Sequence, residues 1–256
     1  MKGHFVEAMI KEVAALLNKA DSAMALTGAG ISVESGIPAF RGAQGLWERY
    51  DPIEYASIEA FRSDPGKVWD MLKEMQELVM SAQPNPAHQA LARLEKLGCL
   101  SSVVTQNVDG LHQAAGSRHV VEFHGSGRQL HCLECERQVR PNELMIQELP
   151  PRCGCGGVIR PNVVFFGEPI PERAAMTAFA LASDCQVMLV VGTSAVVAPA
   201  SQIPVLAKRA GAKVVEINLD PSPLSQDVSD YLFEASASQV LPQLAAAVEA
   251  LGSRTE

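Results

Sequence analysis

No stretch of this 256-residue chain reaches the roughly 20 consecutive apolar residues that a helix needs to cross a bilayer. Basic residues are scarce too: 21 lysines and arginines stand against 29 aspartates and glutamates, a formal net charge of −8. Binding to nucleic acid needs a basic face to neutralise phosphate. Neither a membrane nor a nucleic acid is therefore an expected partner. Internal repeats and low-complexity segments are also missing. The opening residues, MKGHFVEAMIKEVAALLNKA, are charged throughout, unlike a secretory leader, and a cytoplasmic location is the expectation.

What is present is enough apolar material, 47% of residues, for one well-buried α/β domain with a small module attached. Short apolar runs at 23–27, 101–105, 120–123, 186–192 and 213–219 have the continuous pattern of strands covered on both faces of a parallel sheet. Helical patterns lie before and between them, near 5–20, 86–97, 172–183, 199–210 and 239–251. In PNPAHQALARLEKLG, Asn85 is placed to cap, Pro86 suits the first helical position and Gly98 suits the left-handed turn that ends a helix. Such alternation predicts a doubly wound, Rossmann-like parallel sheet. Two intervals break it, 43–84 and 125–161. They read as insertions forming a second, smaller lobe, helical in the first interval and, with four cysteines spaced for zinc in the second, zinc-binding, so that the larger lobe comprises about 1–42, 85–124 and 162–256 of a single domain.

The first strand runs into GAGISVESGIPAFRG. Gly28 and Gly30 fill the first two places of a dinucleotide fingerprint, but Val33 fills the third, and no second strand ending in a ribose-binding acid follows about 20 residues on. The loop reads as a nucleotide phosphate site unlike that of the common dehydrogenases. VGTSAVVAPA repeats the sequence of strand, glycine and hydroxyl, with Thr193 and Ser194 as donors, and Asn218 ends a later strand where a ribose-reading polar residue would stand.

TQNVDGLH places Gln106, Asn107 and Asp109 at the carboxyl edge of the sheet, where α/β folds bind ligands; a plain polar turn capped by Asp109 explains the same residues. His124 follows the strand VVEF and precedes a glycine turn, a position suited to a general base. His88 and His112 fall in helical patterns and read as structural. Cys132, Cys135, Cys153 and Cys155 form C-x2-C, 17 residues, then C-x-C. Four thiolates close a tetrahedral, structural zinc site; free thiols are the alternative, and His131 is available as a substitute ligand.

Taken together, GAGISVESGIPAFRG, PNPAHQALARLE, TQNVDGLH, FHGS, the four cysteines, RPNVVFFGE, GTSAVVAPA and INLD resemble the sirtuin (Sir2) family of NAD-dependent protein lysine deacylases, from about residue 12 to residue 242. The resemblance implies transfer of an acyl group from lysine to ADP-ribose, with release of nicotinamide and with His124 as base assisted by Asn107 and Ser32. It implies that NAD is held by Gly28, Ala29, Gly30, Ser32, Phe40, Arg41, Gln106, Asn107, Asp109, Gly192, Thr193, Ser194, Asn218 and Ala237. The acylated lysine of a protein substrate would pair with Val164, Phe165, Phe166, Gly167 and Glu168. In the branch of the family that removes succinyl and malonyl groups, a tyrosine and, three residues on, an arginine read the acyl carboxylate; Leu72 and Met75 stand there in this chain, with Lys73 close by. Neutral acyl groups are thus expected, acetyl first. The family's glycine near the adenine is replaced by Ala235. ADP-ribosyl transfer or NAD hydrolysis in the same pocket is the competing reading, and a zinc-ribbon binding module is a more distant one.

Overall fold

The structure is a computed structural model that describes residues 2–42, 45–139 and 148–252, with side chains described from residue 6 onward. Its larger sheet contains β1 (Ala23–Thr27), β2 (Ser102–Thr105), β3 (Val120–Glu122), β7 (Val187–Val191), β8 (Lys213–Asn218) and β9 (Tyr231–Glu234). All are parallel, in the order β3-β2-β1-β7-β8-β9. This is the doubly wound arrangement: from β1 the chain adds β2 and β3 on one side and β7, β8 and β9 on the other, and at that switch point, between β1 and β7, such folds open a crevice.

Each central strand is buried on both faces, which explains its unbroken apolar run. Ala25, Val103, Leu189, Val215 and Ile217 face one way, onto the helices Lys2–Lys19, Pro86–Lys96 and Ala237–Ala250 through Val13, Leu17, Leu91, Leu94, Leu241 and Leu244. Met24, Leu26, Val104, Met188, Val190 and Val214 face the other way, onto Glu172–Asp184 and Gln202–Arg209 through Ala178, Ala182, Ile203 and Ala207. Asn85 caps its helix by accepting from the Ala87 and His88 amides, and Gly98 lies beyond the helix at φ +72°.

The smaller lobe joins two separate pieces of sequence. One supplies the helices Pro52–Tyr55, Ile58–Ser63 and Pro65–Ser81, capped by Asp51, Ser57 and Asp64. The other supplies an antiparallel sheet of β4 (Gly125–Cys132), β5 (Gln138–Val139) and β6 (Ile159–Val163), in the order β5-β4-β6. Phe61, Trp69, Leu130, Ile159 and Phe165 form their shared core, and the Trp69 indole donates to the Ile159 carbonyl at 2.8 Å.

Three features differ from the sequence reading. Residues 125–127 start a strand rather than a flexible turn: Gly125 sits at φ +79°, and a Cβ there would collide with the Asn162 carbonyl across the ladder. β6 runs through Val163, so the second lobe's sheet extends two residues past the expected boundary at 161. The edge strand β9 was not expected, because YLFE is short, half-buried and preceded by the polar SQDVSD; only pairing with β8 makes it a strand.

Candidate active site

The loops after β1 and β7 meet at the crevice, and glycine makes their close approach possible. The Gly28 amide donates to the Val191 carbonyl at 3.0 Å and the Gly30 amide to the Gly192 carbonyl at 2.8 Å. A Cβ on Gly30 would stand 2.7 Å from the Gly192 Cα, well inside contact distance. Their amides are spent on the neighbouring loop, and their lack of side chains serves loop packing as well as the cavity wall they form.

Beside this junction lies a cavity of about 820 Å³. Its wall includes Gly28, Ala29, Gly30, Phe40, Arg41, Gln106, Asn107, His124, Gly192, Thr193, Ser194, Asn218 and Ala237. It continues into the smaller lobe past Leu72, Met75 and the segment Val164, Phe165, Phe166, Gly167 and Glu168. The structure therefore gathers nearly all the sequence-predicted residues around one space. Ser32 and Asp109 are the exceptions, since neither is a wall residue and both are buried behind the wall. The Ser32 hydroxyl donates to Asp109 at 2.8 Å and accepts from the Asn107 amide at 3.1 Å, so their contact with the cavity runs through Asn107. Asp109 also accepts from the Leu111 amide at 2.9 Å, but Gly110, not Asp109, holds the N-cap position of the helix Leu111–Ala114.

Asn107 is held by both of its amide protons. Nδ2 donates to the Gly28 carbonyl and to Ser32, each at 3.1 Å, while Oδ1 is buried without a partner. An orphaned buried acceptor on a cavity wall suits a hydroxyl donor from a ligand. Gln106 donates to Thr193 Oγ1 at 2.9 Å, tying the loop after β2 to the loop after β7.

His124 Nδ1 lies 3.1 Å from the Gln106 carbonyl. A carbonyl only accepts, so Nδ1 carries the proton and Nε2 keeps its lone pair. Burial lowers the His124 pKa from its ordinary 6.5, with the Gln106 bond opposing the shift, and the ring is a neutral base at pH 7. Next to Ser32 and Thr27, His88 and His112 stack edge to face at 4.9 Å in the buried layer, and burial lowers them to about 4 and about 3.

The peptide-like edge at Val164–Glu168 is pinned from below. Arg160 forms two 2.8 Å bonds to Glu168, donates to the Val163 carbonyl and lies 4.7 Å from the centre of the Phe165 ring. Phe165 is consequently a core residue, packed on Phe61, and Phe166 is the one that is exposed. Phe166 tilts against Trp47, which stacks on Phe40 at 5.2 Å. The sequence reading passed over Trp47, which stands six residues after Arg41.

In the smaller lobe the four cysteine sulfurs lie within 4.8 Å of one another. Cys132 and Cys155 are 3.5 Å apart, Cys135 and Cys153 3.7 Å. Sulfurs about 2.3 Å from a tetrahedral zinc are about 3.8 Å from each other, so the set fits that ion, the tight C-x-C pair included. A Cβ on Gly157 would press 2.7 Å from the Cys132 sulfur, so glycine keeps this corner open. Backbone amides, that of Cys135 first, lower the Cys132 thiol, while at Cys155 the lowering by the Gly157 amide is outweighed by hydrogen bonds from Cys132 and Cys135 that raise it, so the two thiols share one proton between them. His131 is directed instead at Asn162 and is not among the four.

Fold and site define a nucleotide-dependent enzyme of the doubly wound class carrying a structural zinc lobe. The Sir2 family model matches residues 28–199. NAD-dependent protein deacylase 2 of Pyrobaculum aerophilum is 52% identical over 233 residues, 91% of this chain and 93% of that protein. A Sir2 homologue variant solved with ADP-ribose superposes with a TM-score of 0.91 at 41% identity, covering 96% of this chain and 98% of that one. A Sir2 structure with a p53 peptide and NAD+ gives a TM-score of 0.83 at 36% identity, covering 96% and 99%. The chain belongs to the Sir2 family.

Proposed function

We infer that this chain is an NAD-dependent protein lysine deacylase that prefers neutral acyl groups. The observation that carries the reading is the meeting of two atoms' environments on one cavity wall: the lone pair of His124 Nε2 and the unpartnered Oδ1 of Asn107. Gly28, Ala29, Gly30, Thr193 and Ser194 would surround the phosphates of NAD, Phe40 and Arg41 would close over them, and Asn218 and Ala237 would face the adenosine. Bound NAD supplies a ribose carbon made electrophilic by loss of nicotinamide. Asn107 Oδ1, locked by two inward bonds, orients a ribose hydroxyl, and His124 Nε2 removes that hydroxyl's proton. Asp109 and Ser32 hold Asn107 in this pose from behind.

The edge Val164–Glu168 would add a substrate backbone as a further strand, with the acyl-lysine running between Phe166 and His124. Beyond it the cavity is walled by Leu46, Trp69, Met71, Leu72, Met75 and Val79. Lys73 is on the exposed side of the same helix and is not a wall residue. An acyl carboxylate buried at Leu72 and Met75 without a partner would cost several kcal/mol, about a factor of ten for each 1.4.

Mixing the protein with NAD and matched acetyl-, butyryl- and succinyl-lysine peptides, with products read by mass spectrometry, tests both parts. Acetyl or butyryl recovered on ADP-ribose, with little succinyl, is the expected result. Fast succinyl removal overturns the acyl preference, and NAD consumption with no acyl transfer overturns deacylation in favour of ADP-ribosyl transfer or hydrolysis.

A further inference from the structure

The sequence has no ribose-binding acid at the position a dehydrogenase would use, but the fold buries one elsewhere. Glu216, in β8, is fully buried. Among the described residues no cation is bonded to it: it accepts from Asn218 Nδ2 at 2.9 Å, the Ser222 amide at 3.1 Å, Ser225 Oγ at 2.7 Å and Ser229 Oγ at 2.8 Å. Burial alone would raise its pKa, but these hydrogen bonds outweigh it and keep the group below the ordinary carboxylate value. A charge is thus maintained in the interior directly beside the wall residues Ile217 and Asn218.

Its effect falls on Asn218. The Asn218 amide nitrogen donates to Glu216 and also to the Thr193 carbonyl at 3.1 Å. Both partners are pure acceptors, so the –NH2 group must face them and its two protons are spent. Oδ1 is then the polar atom that Asn218 offers to the cavity it lines. The same residue's carbonyl accepts from the Ala235 amide at 3.0 Å, which places it beside the end of the cavity assigned above to adenosine.

We propose that Glu216 is a positioning residue that fixes Asn218 as an obligate hydrogen-bond acceptor, so that the adenosine end of the site selects a ribose bearing a free hydroxyl. A hydroxyl supplies the proton that Oδ1 needs. A phosphate ester has no proton to supply near neutral pH and brings negative charge toward both Oδ1 and the Glu216 carboxylate, so NAD is accepted and its 2′-phosphorylated form rejected. The acid acts through an amide, one layer back, where a dehydrogenase acid touches the sugar directly. The inference rests on the placement of adenosine in the proposed function.

Calorimetry of the peptide-free protein with ADP-ribose and with its forms lacking the 2′- or 3′-hydroxyl of the adenosine ribose provides the test. Wild type is expected to bind ADP-ribose about tenfold more tightly than at least one deoxy form. E216M keeps the volume and removes the acceptor, and should bring that ratio to within about twofold. E216Q keeps an acceptor for Asn218 and should retain the ratio while admitting ADP-ribose 2′-phosphate about tenfold better than wild type does. A parallel loss for all ligands in E216M, with the ratio preserved, means that Glu216 only supports the loop and overturns the proposal.

Nuclear magnetic resonance of asparagine-labelled wild type needs no variant to fold. The Asn218 side-chain amide protons should be protected from exchange, and should remain so when ADP-ribose binds. Loss of that protection on binding overturns the proposal, because the ligand would then be contacting –NH2. If folded wild type binds no ADP-ribose, the reading of the cavity itself falls, a result distinct from either of the others.

Discussion

His124 Nδ1 donates to the main-chain carbonyl of Gln106 at 3.1 Å, and this one bond decides which ring nitrogen is basic. The partner is backbone rather than carboxylate, so it fixes the tautomer without adding a negative charge that would pull the pKa far upward.

Replacing His124 by Ala should lower acyl transfer by about 10²–10⁴-fold, the usual contribution of a positioned general base. Calorimetry should show ADP-ribose affinity nearly unchanged, because binding uses the other walls of the cavity. The wild-type pH profile of kcat/KM should fall on the acid side with a midpoint below 6.5, since burial lowers this histidine. A midpoint above 6.5 would contradict the environment described.

Acid should also weaken the fold through the two buried histidines. His88 and His112 are lowered to about 4 and about 3, so the folded state binds fewer protons than the unfolded chain between those values and about 6.5. Their contribution is complete above pH 6.5 and is lost as pH falls, by up to about 1.4 kcal/mol per pH unit per proton. Thermal melts of wild type and His112→Asn across pH 4–7 should show a shallower decline in the variant.

Zinc should be present at one ion per chain by elemental analysis, and Cys155→Ser should lose it. The small lobe buries few apolar residues of its own, so stripping the ion should expose its core and lower Tm by several degrees. A metal-free preparation with unchanged melting would mean that the thiols serve another purpose.

Arg160→Met should raise the KM for peptide about tenfold while leaving ADP-ribose affinity within about twofold. The substitution removes the two bonds that hold Glu168 and the bond to the Val163 carbonyl, and a buried pair broken on one side costs about 3 kcal/mol. Arg160→Lys should recover part of the effect, because an ammonium cannot make the paired contact. Equal losses for peptide and nucleotide would show that the pair supports the whole fold rather than this edge.

Much of this was legible in residue order. AMALT and VMLVV are strands because both faces of the sheet are covered, which leaves no place for polar residues, and such runs are visible without a structure. The cysteine spacing already describes a tetrahedral site, since C-x2-C and C-x-C bring sulfurs together locally and only the two pairs need to meet. The histidine after VVEF is also readable, because the carboxyl end of a parallel strand is where the crevice lies.

Other roles depended on residues far apart in the chain. That Gly28 and Gly30 also have to be glycines to pack on Gly192 shows only once that residue, more than 160 positions later, is found against them. Ser32 looks like a wall residue until Asp109 and Asn107 draw it inward. Glu216 is one polar residue within KVVEINL, and nothing local shows that three serines and an asparagine will converge on it. The sequence by itself determined the central strands of the larger sheet and the helices beside them, and which residue types would stand at their ends, because periodicity and turn chemistry are local. The tertiary structure decided which of those residues face the cavity and which stand behind them, because hydrogen-bond partners and burial are settled only when distant segments pack.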